Sequence, residues 1–132
     1  MTEKLSLYKC SVCGNLVQVI LPAGGELVCC GKPMTHLEPK NNSDEMLEEK
    51  HVPYFIHDNN NEYIQIGSTL HPMSNEHFIQ FVEVFSQDKN KVILQYFSPD
   101  EKPIMNLDAS LAKNCSSLAY CNIHGLWEGE HD

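Results

Sequence analysis

Four cysteines within residues 1–38 constrain the fold of this chain more than any other feature. They form a Cys-x-x-Cys pair, Cys10 and Cys13, and an adjacent pair, Cys29 and Cys30. A segment this short cannot bury enough apolar surface to fold unaided, so it needs cross-links or a bound metal ion. The pattern predicts a small N-terminal domain that is held together by one ion in four thiolates.

Two alternatives exist for these cysteines, namely two disulfides or reduced thiols in a core. The first residues of the chain, Met1–Lys9, lack the apolar core of a secretory signal. We therefore expect a cytoplasmic protein, in which thiols stay reduced and clustered cysteines usually bind metal. The residue types alone permit either zinc or iron.

The adjacent cysteines impose a special backbone requirement. Successive side chains of an extended segment point apart, so Cys29 and Cys30 can reach one ion only where the chain bends sharply. Gly31 follows them and can adopt the conformation of such a bend. A zinc ribbon differs at this point, because it repeats the Cys-x-x-Cys spacing twice.

The distribution of charge changes along the chain. Residues 1–38 carry three lysines and three acidic residues, whereas residues 39–132 carry six lysines and fifteen acidic residues, which gives the net charge of −9. All nine basic residues are lysines, so the chain lacks the bidentate guanidinium group that favours phosphate and base recognition. We therefore expect neither nucleic acid nor an anionic membrane surface as a partner.

The rest of the chain indicates a linker followed by a mainly β domain. Residues 39–48 are polar and rich in turn formers, which is typical of a linker. From residue 49 to residue 132, short strand-like runs alternate with turns, and we predict an antiparallel β-sandwich. The runs that indicate strands are Val52–Ile56, Tyr63–Ile66, Phe78–Phe85, Lys91–Phe97, Ile104–Leu107 and Ser117–Cys121. No apolar run approaches the roughly 20 residues of a membrane helix.

A second candidate metal site starts from Cys121 and His124, a thiol and an imidazole three residues apart. Such pairs arise by chance, so further ligands are needed. Three histidines, His51, His71 and His77, lie at predicted strand ends and loops, which gather at the rim of a sheet. Four imidazoles and one thiolate are too many for tetrahedral structural zinc, but they fit five-coordinate iron with one open position.

Five motifs of this chain occur in the order that is typical of one known family. They are Cys-x-x-Cys-Gly, Cys-Cys-Gly-Lys-Pro-Met, Glu-Lys-His-Val-Pro, His-Pro-Met and Tyr-Cys-Asn-Ile-His-Gly. Over essentially its whole length, the chain resembles desulfoferrodoxin, the two-iron form of superoxide reductase. The resemblance implies a desulforedoxin-type iron domain over residues 1–38, an immunoglobulin-like superoxide reductase (neelaredoxin-like) β-sandwich over residues 49–132, and a homodimer.

The resemblance also implies a role for each matching residue. The first iron ion would be bound by Cys10, Cys13, Cys29 and Cys30. The second would have the equatorial ligands His51, His71, His77 and His124 and the axial ligand Cys121. Glu49 resembles the residue that occupies the sixth position in the oxidised resting state. Lys50 resembles the residue that attracts superoxide and steadies a water that delivers a proton.

The implied reaction is the one-electron reduction of superoxide, with two protons, to hydrogen peroxide. The electron would come from a rubredoxin-like or other reductant, and the axial thiolate would push electron density toward the second iron. The first iron could transfer electrons to the second, or it could serve only to hold the N-terminal domain and the dimer together. Related one-iron enzymes lack this iron, which favours the structural role. Two other functions stay open from the sequence: a non-catalytic electron carrier and a zinc-binding interaction module.

The remaining candidate residues match neither ligand set, and we expect them to be structural or solvated. They are His36, His57 and His131 in solvent, Cys115 as a free or partly buried thiol, Met73 and Met105 as core or loop fillers, and Trp127 in the sandwich or near the second site.

Overall fold

The computed structural model describes residues 2–40, 51–67, 71–108 and 114–130. The chain divides into two compact units, Met1–Glu38 and Pro39–Asp132. Regular structure in the described ranges is almost entirely β-strand, as the sequence predicts. Within these ranges the structure has no helix of the length and apolar character needed to cross a membrane.

The N-terminal unit is built from five short strands. In one antiparallel sheet β1 (Leu7–Lys9) lies between β2 (Leu16–Gln18) and β5 (Thr35–His36), and β3 (Val28–Cys29) and β4 (Lys32–Pro33) form a separate hairpin. Cys10 follows β1 directly, and Cys30 lies in the β3–β4 turn. Both cysteine pairs thus sit where strands end.

The apolar core of this unit is very small. Of its described hydrophobic residues, Leu5, Leu7 and Cys10 are buried, whereas Ile20 and Leu21 are 64% and 84% exposed. Burying two or three side chains stabilises a fold by only a few kcal/mol, about 2 kcal/mol each. The unit therefore needs the additional stabilisation that a metal ion in its cysteine cluster would provide.

The C-terminal unit has two antiparallel sheets. The first contains β6 (Pro53–Asp58), β7 (Asn61–Ile66) and β10 (Ile104–Asn106), in the order β10–β7–β6. The second contains β8 (Ile79–Phe85), β9 (Val92–Tyr96), β11 (Ser116–Cys121) and β12 (Gly125–Glu130), in the order β12–β11–β8–β9.

The two sheets share one core. Ile64 and Ile66 of β7 pack in the same buried cluster as Val82 and Val84 of β8 and Ala119 of β11, and all five residues are 0% exposed. Residues two apart in a strand face the same side, so each sheet contributes one apolar face to the interior. The predicted immunoglobulin-like β-sandwich is confirmed.

The β6–β7 hairpin closes through a turn of only two residues. Its turn consists of Asn59 and Asn60, whose φ angles are 48° and 72°. Asparagine tolerates this left-handed conformation, which a two-residue hairpin turn requires. Asp58 and Asn61, on either side of this turn, are paired with each other in the ladder.

Strand β12 is a strand of the C-terminal unit that the sequence did not indicate. It pairs with β11 along its whole length, from Cys121↔Gly125 to Ser116↔Glu130. Glycine and glutamate are both weak strand formers, and β12 contains two of each. Its pairing with β11, rather than the propensity of its residues, accounts for this strand.

Candidate metal centres

The four N-terminal cysteines converge on one point, with sulfur atoms all within 4.8 Å of one another. Cys13 Sγ lies 3.6 Å from Cys29 Sγ, which in turn lies 4.0 Å from Cys30 Sγ. Four sulfurs bound tetrahedrally at about 2.3 Å from an ion would be about 3.8 Å apart. All four are free thiols rather than disulfide-bonded pairs. The cluster therefore fits one metal ion.

The predicted bend after Cys29 is confirmed, and it includes a cysteine as well as the glycine. Cys30 has a φ of 53° and Gly31 a φ of 73°. The left-handed conformation costs a residue with a side chain roughly 1–2 kcal/mol. Ligation of the Cys30 sulfur by a metal ion would offset this cost.

Backbone N–H groups prepare one of these sulfurs for metal binding. The N–H groups of Cys13 and Val12 each donate to Cys10 Sγ at 3.4 Å, and together they lower the pKa of Cys10 to about 6. Hydrogen bonds with Cys13 and Cys10 raise the pKa of Cys29 to about 12. Cys10 is therefore the sulfur that loses its proton more readily, and a cation that binds to the cluster displaces the protons of the remaining thiols.

A second cluster forms in the sandwich from His51, His71, His77 and Cys121, whose ligand atoms all lie within 4.8 Å of one another. His51 Nε2 and His71 Nε2 are 3.0 Å apart. Two nitrogens bound at right angles, each about 2.1 Å from an ion, would be about 3.0 Å apart. The donor set and its spacing therefore fit a metal ion as well.

Two imidazoles of this cluster, His71 and His77, favour the neutral form that binds metals. His71 Nδ1–H donates to Pro72 O at 2.6 Å, which leaves Nε2 free to act as a ligand. Burial, aided by the neighbouring His51, lowers the pKa of His71 to about 4. Burial and the neighbouring His124 also lower the pKa of His77.

His77 supplies the clearest sign of a missing partner. Its Nε2 is buried and, among the residues that the structure describes, has no hydrogen-bond partner. A buried nitrogen without a partner costs roughly 1–3 kcal/mol. A metal ion in the cluster would satisfy it, whereas nothing else in the described ranges does.

His124, the fifth expected ligand, lies beside this group rather than within it. Its Nδ1 is 3.9 Å from Cys121 Sγ, and its ring centroid is 4.7 Å from that of His51 and 5.1 Å from that of His77. The structure therefore brings four of the five residues into one tight group and places the fifth next to them.

A bulge directs the thiol of Cys121 toward the cluster. In the β11–β8 pairing, Tyr120 lies opposite Phe81 but Cys121 lies opposite Ile79, so the register shifts between the two. Such a bulge bends a strand locally and redirects its side chains. Burial raises the pKa of Cys121, while the N–H groups of His124, at 3.4 Å from the sulfur, and of Ile123 oppose that rise.

Asn122 is a residue whose role we did not predict. Its Oδ1 accepts from the Phe78 N–H at 3.0 Å, and its Nδ2 donates to Glu76 O at 2.9 Å. These bonds connect the turn after Cys121 to the segment that carries His77. The only sequence signal was the position of Asn122 inside the Cys-x-x-His stretch.

Trp127 lies at the second cluster, one of the two locations that the sequence analysis allowed. It is 0% exposed, and its ring stacks on His51 with centroids 4.9 Å apart and an angle of 24° between the planes. Its Nε1–H donates to His124 O at 3.1 Å. The indole thus contacts two of the expected ligand residues.

The other candidates belong to neither group of ligand residues or lie outside the described residues. Those that the structure places are His36 and His57, exposed and paired with Glu38 and Glu62; Cys115, a buried free thiol; and Met73 and Met105, packed in the sandwich core. Those outside the described residues are Glu49, Lys50 and His131.

A four-cysteine unit joined to a sandwich with a histidine–cysteine cluster defines a metalloprotein with two centres. Family models named desulfoferrodoxin and desulfoferrodoxin, N-terminal domain, match residues 43–130 and 2–37. A desulfoferrodoxin from Syntrophotalea carbinolica is 42% identical in sequence, in an alignment that covers 98% of this chain and 99% of the relative's chain. The chain belongs to the desulfoferrodoxin family. That family has two iron sites, and the two clusters are groups able to hold them.

Solved structures share the fold. The superoxide reductase from Treponema pallidum aligns with a TM-score of 0.66 at 24% identity, covering 96% of this chain and 98% of its own. The superoxide reductase (1Fe-SOR) from Giardia intestinalis aligns with a TM-score of 0.52 at 30% identity, covering 64% of this chain and 98% of its own.

Proposed function

We propose that this protein is a superoxide reductase, which reduces superoxide with one electron and two protons to hydrogen peroxide and releases no O2. The observation that carries the proposal is the buried group of three imidazoles and one thiol, with His124 beside it. Five such donors leave one position of a six-coordinate iron open. Family membership and the likeness to the Giardia intestinalis enzyme support the same reaction.

The proposal assigns the ligands as the family resemblance implies. The first iron would be held by Cys10, Cys13, Cys29 and Cys30, and the second by His51, His71, His77, His124 and Cys121. When bound, the second iron supplies the electron and an open position for a small anion. The division into a domain over residues 1–38, a linker over residues 39–48 and a sandwich over residues 49–132 is part of the same proposal.

The protein's own groups prepare the second centre to bind a metal ion. Neutral imidazoles bind without having to lose a proton at pH 7, because burial lowers the pKa values of His71 and His77. The N–H of His124, 3.4 Å from Cys121 Sγ, stabilises the thiolate form of that sulfur. The Cys121 thiolate would donate charge to an iron ion held there.

Glu49 and Lys50 immediately precede the ligand His51 in the sequence. We assign Lys50 to attract superoxide and to hold a water that delivers a proton, and Glu49 would be a further ligand of the oxidised second iron. The net charge of −9 opposes an anionic substrate. Charges further than about 8 Å away are screened at physiological salt, so one lysine near the site can dominate the local field.

Replacement of Lys50 by alanine is expected to slow superoxide capture about tenfold at low salt, because the attracting charge is lost. Iron content should not change, since Lys50 is not an assigned ligand. Rapid mixing or pulse radiolysis measures the capture rate, and Lys50→Arg is the control that keeps the charge. Equal capture rates for Lys50→Ala and the wild type would remove Lys50 from the mechanism.

We propose that the first iron is mainly structural. Cys13→Ser is then expected to lose that iron and its absorption in the blue-green, while superoxide turnover with a chemical reductant stays within about twofold, because the second cluster has its own ligands. Metal analysis, the visible spectrum and the assay together test this. Loss of turnover with the second iron still bound would instead assign electron transfer to the first centre.

We further propose a homodimer that receives electrons from a rubredoxin-like or other reductant. The N-terminal unit exposes Ile20, Leu21 and Val28, which are 64%, 84% and 57% accessible. Exposed apolar side chains in such a small unit are typical of a surface that is covered by a partner, here a second copy of the chain. A monomer mass in light scattering would contradict the dimer.

An anaerobic assay of the iron-loaded protein tests the reaction itself. The proposal requires consumption of superoxide, one peroxide per superoxide and no O2. A protein that carries electrons without binding cyanide or azide at the second centre would be an electron carrier. A colourless protein that contains zinc in both clusters would be an interaction module.

A further inference from the structure

Lys40 is fixed beside β12 by backbone hydrogen bonds. Its N–H donates to Leu126 O at 2.9 Å, and its carbonyl accepts from the Glu128 N–H at 2.9 Å. These two bonds make a parallel bridge between Lys40 and Trp127 on the edge of the four-stranded sheet. The position of Lys40 along β12 is therefore set by the backbone and does not depend on its side chain.

The side chain of Lys40 reaches the turn that carries His124. Its Nζ donates to His124 O at 3.3 Å and lies 5.7 Å from the centroid of the Trp127 ring. A Cβ on Gly125 would be 4.0 Å from Nζ, an ordinary van der Waals distance, so the ammonium lies next to the glycine that follows His124. Two attractive contacts, one to a carbonyl and one to an aromatic face, hold the cation there.

The His124 carbonyl accepts from two donors at once. Trp127 Nε1 donates to it at 3.1 Å from the interior, and Lys40 Nζ donates at 3.3 Å from an exposed side chain. The same Trp127 ring stacks on His51, and the N–H of His124 donates to Cys121 Sγ. This carbonyl therefore links Lys40 to three of the residues that bind iron in the proposed function.

We propose that Lys40 is a positioning residue of the second centre, which holds the His124–Gly125 peptide and the Trp127 ring in place. It thereby fixes the orientation of His124 and the N–H contact to Cys121. His124 needs such support, because it lies beside the tight group of four rather than within it. The inference rests on the proposed ligand set, but it adds a residue to which neither a ligand nor a substrate role has been assigned.

Lys40→Met tests the inference, because it keeps most of the side-chain length and removes the charge and the donor. Partners that orient metal ligands typically change metal affinity ten- to a hundredfold when lost, and an exposed ammonium belongs at the lower end. We expect Lys40→Met to lose the second iron to a chelator about tenfold faster than the wild type. We also expect a shift of the thiolate-to-iron absorption band, since the N–H contact to Cys121 changes.

Two control variants separate positioning from general effects of charge. Lys40→Arg keeps a donor and a charge and should stay within about twofold of the wild type. Lys91→Met removes an exposed lysine next to β9, the opposite edge of the same sheet, and should also leave iron loss and the band unchanged. Identical behaviour of Lys40→Met and Lys91→Met would overturn the inference. The inference would also be overturned if Lys40→Met changed only the salt dependence of superoxide capture and left the rate of iron loss and the absorption band as in the wild type.

Hydrogen exchange in the zinc-loaded protein distinguishes this inference from the proposed function. The His124 amide donates to Cys121 Sγ at 3.4 Å, so its exchange rate reports on the turn without iron or superoxide. Lys40→Met should raise that rate about tenfold, and Lys91→Met should not. If the wild type fails to reduce superoxide but this difference is found, the positioning role stands and the proposed function fails. No difference in exchange would overturn the positioning role even if the wild type proves to be a superoxide reductase.

Discussion

Replacement of Cys121 by serine is expected to lower superoxide reduction about a hundredfold or more and to abolish the red absorption of the oxidised second centre. A serine hydroxyl remains protonated at neutral pH and donates far less charge to a metal than a thiolate does. Loss of a residue that only orients a ligand already costs ten- to a hundredfold, so loss of the thiolate ligand itself should cost at least as much. Visible absorption and the anaerobic assay measure the two effects.

The sandwich itself should tolerate this substitution. Cys121 is 0% exposed, and serine is close to cysteine in shape and can accept the same hydrogen bond from the His124 N–H. Cys115→Ser is a matched control, because Cys115 is another buried free cysteine in the same core and lies outside both clusters. Cys115→Ser should keep the colour and the rate. If Cys121→Ser retains both as well, Cys121 is not a ligand and the assignment of the second centre is wrong.

The donor atoms of both clusters were predictable because their chemistry is carried by residue type and spacing. Cys10 and Cys13 can reach one ion through a local turn, and the structure shows that turn, with two N–H groups on the Cys10 sulfur. The distant histidines required one further step. His51 and His71 are buried together because the ends of their strands meet at one rim of the sandwich.

The supporting residues could not be predicted in the same way, because their contacts depend on tertiary register. Lys40 and His124 are 84 positions apart, and Asn122 is 46 positions from Glu76. A polar residue in a turn-rich segment, such as Lys40, has no local pattern that distinguishes it from a solvated side chain. Only the pairing with β12 places its ammonium at the His124 carbonyl.

The course of β12 past β6 is what allows Trp127 to stack on His51, and it depends on Gly129. A Cβ at Gly129 would lie 2.3 Å from Pro53 O and 3.2 Å from the carbonyl carbon of Pro53. Because the obstacle is backbone, no rotation of a side chain can relieve the overlap. Gly129→Ala therefore has to move β12 away from β6.

We expect Gly129→Ala to destabilise the protein by about 3 kcal/mol, near the upper end for overpacking of a core. For a unit of this size, that corresponds to a fall in melting temperature of more than about 10 °C. Gly24→Ala is the control, since a Cβ there meets nothing within 4 Å and the backbone is not in the left-handed region. Thermal unfolding of both variants followed by circular dichroism measures the difference.

The same displacement should also reach the second centre. Trp127 precedes Gly129 by two residues and Pro53 follows His51 by two, so movement of the strands apart separates the indole from the imidazole on which it stacks. Gly129→Ala should therefore also lose the second iron faster than the wild type, while Gly24→Ala does not. If Gly129→Ala has the same melting temperature as the wild type and retains its iron equally well, the close approach of β12 to β6 is not what holds Trp127 against His51. The hydrogen bond from Trp127 Nε1 to His124 O would then have to hold the indole in that position.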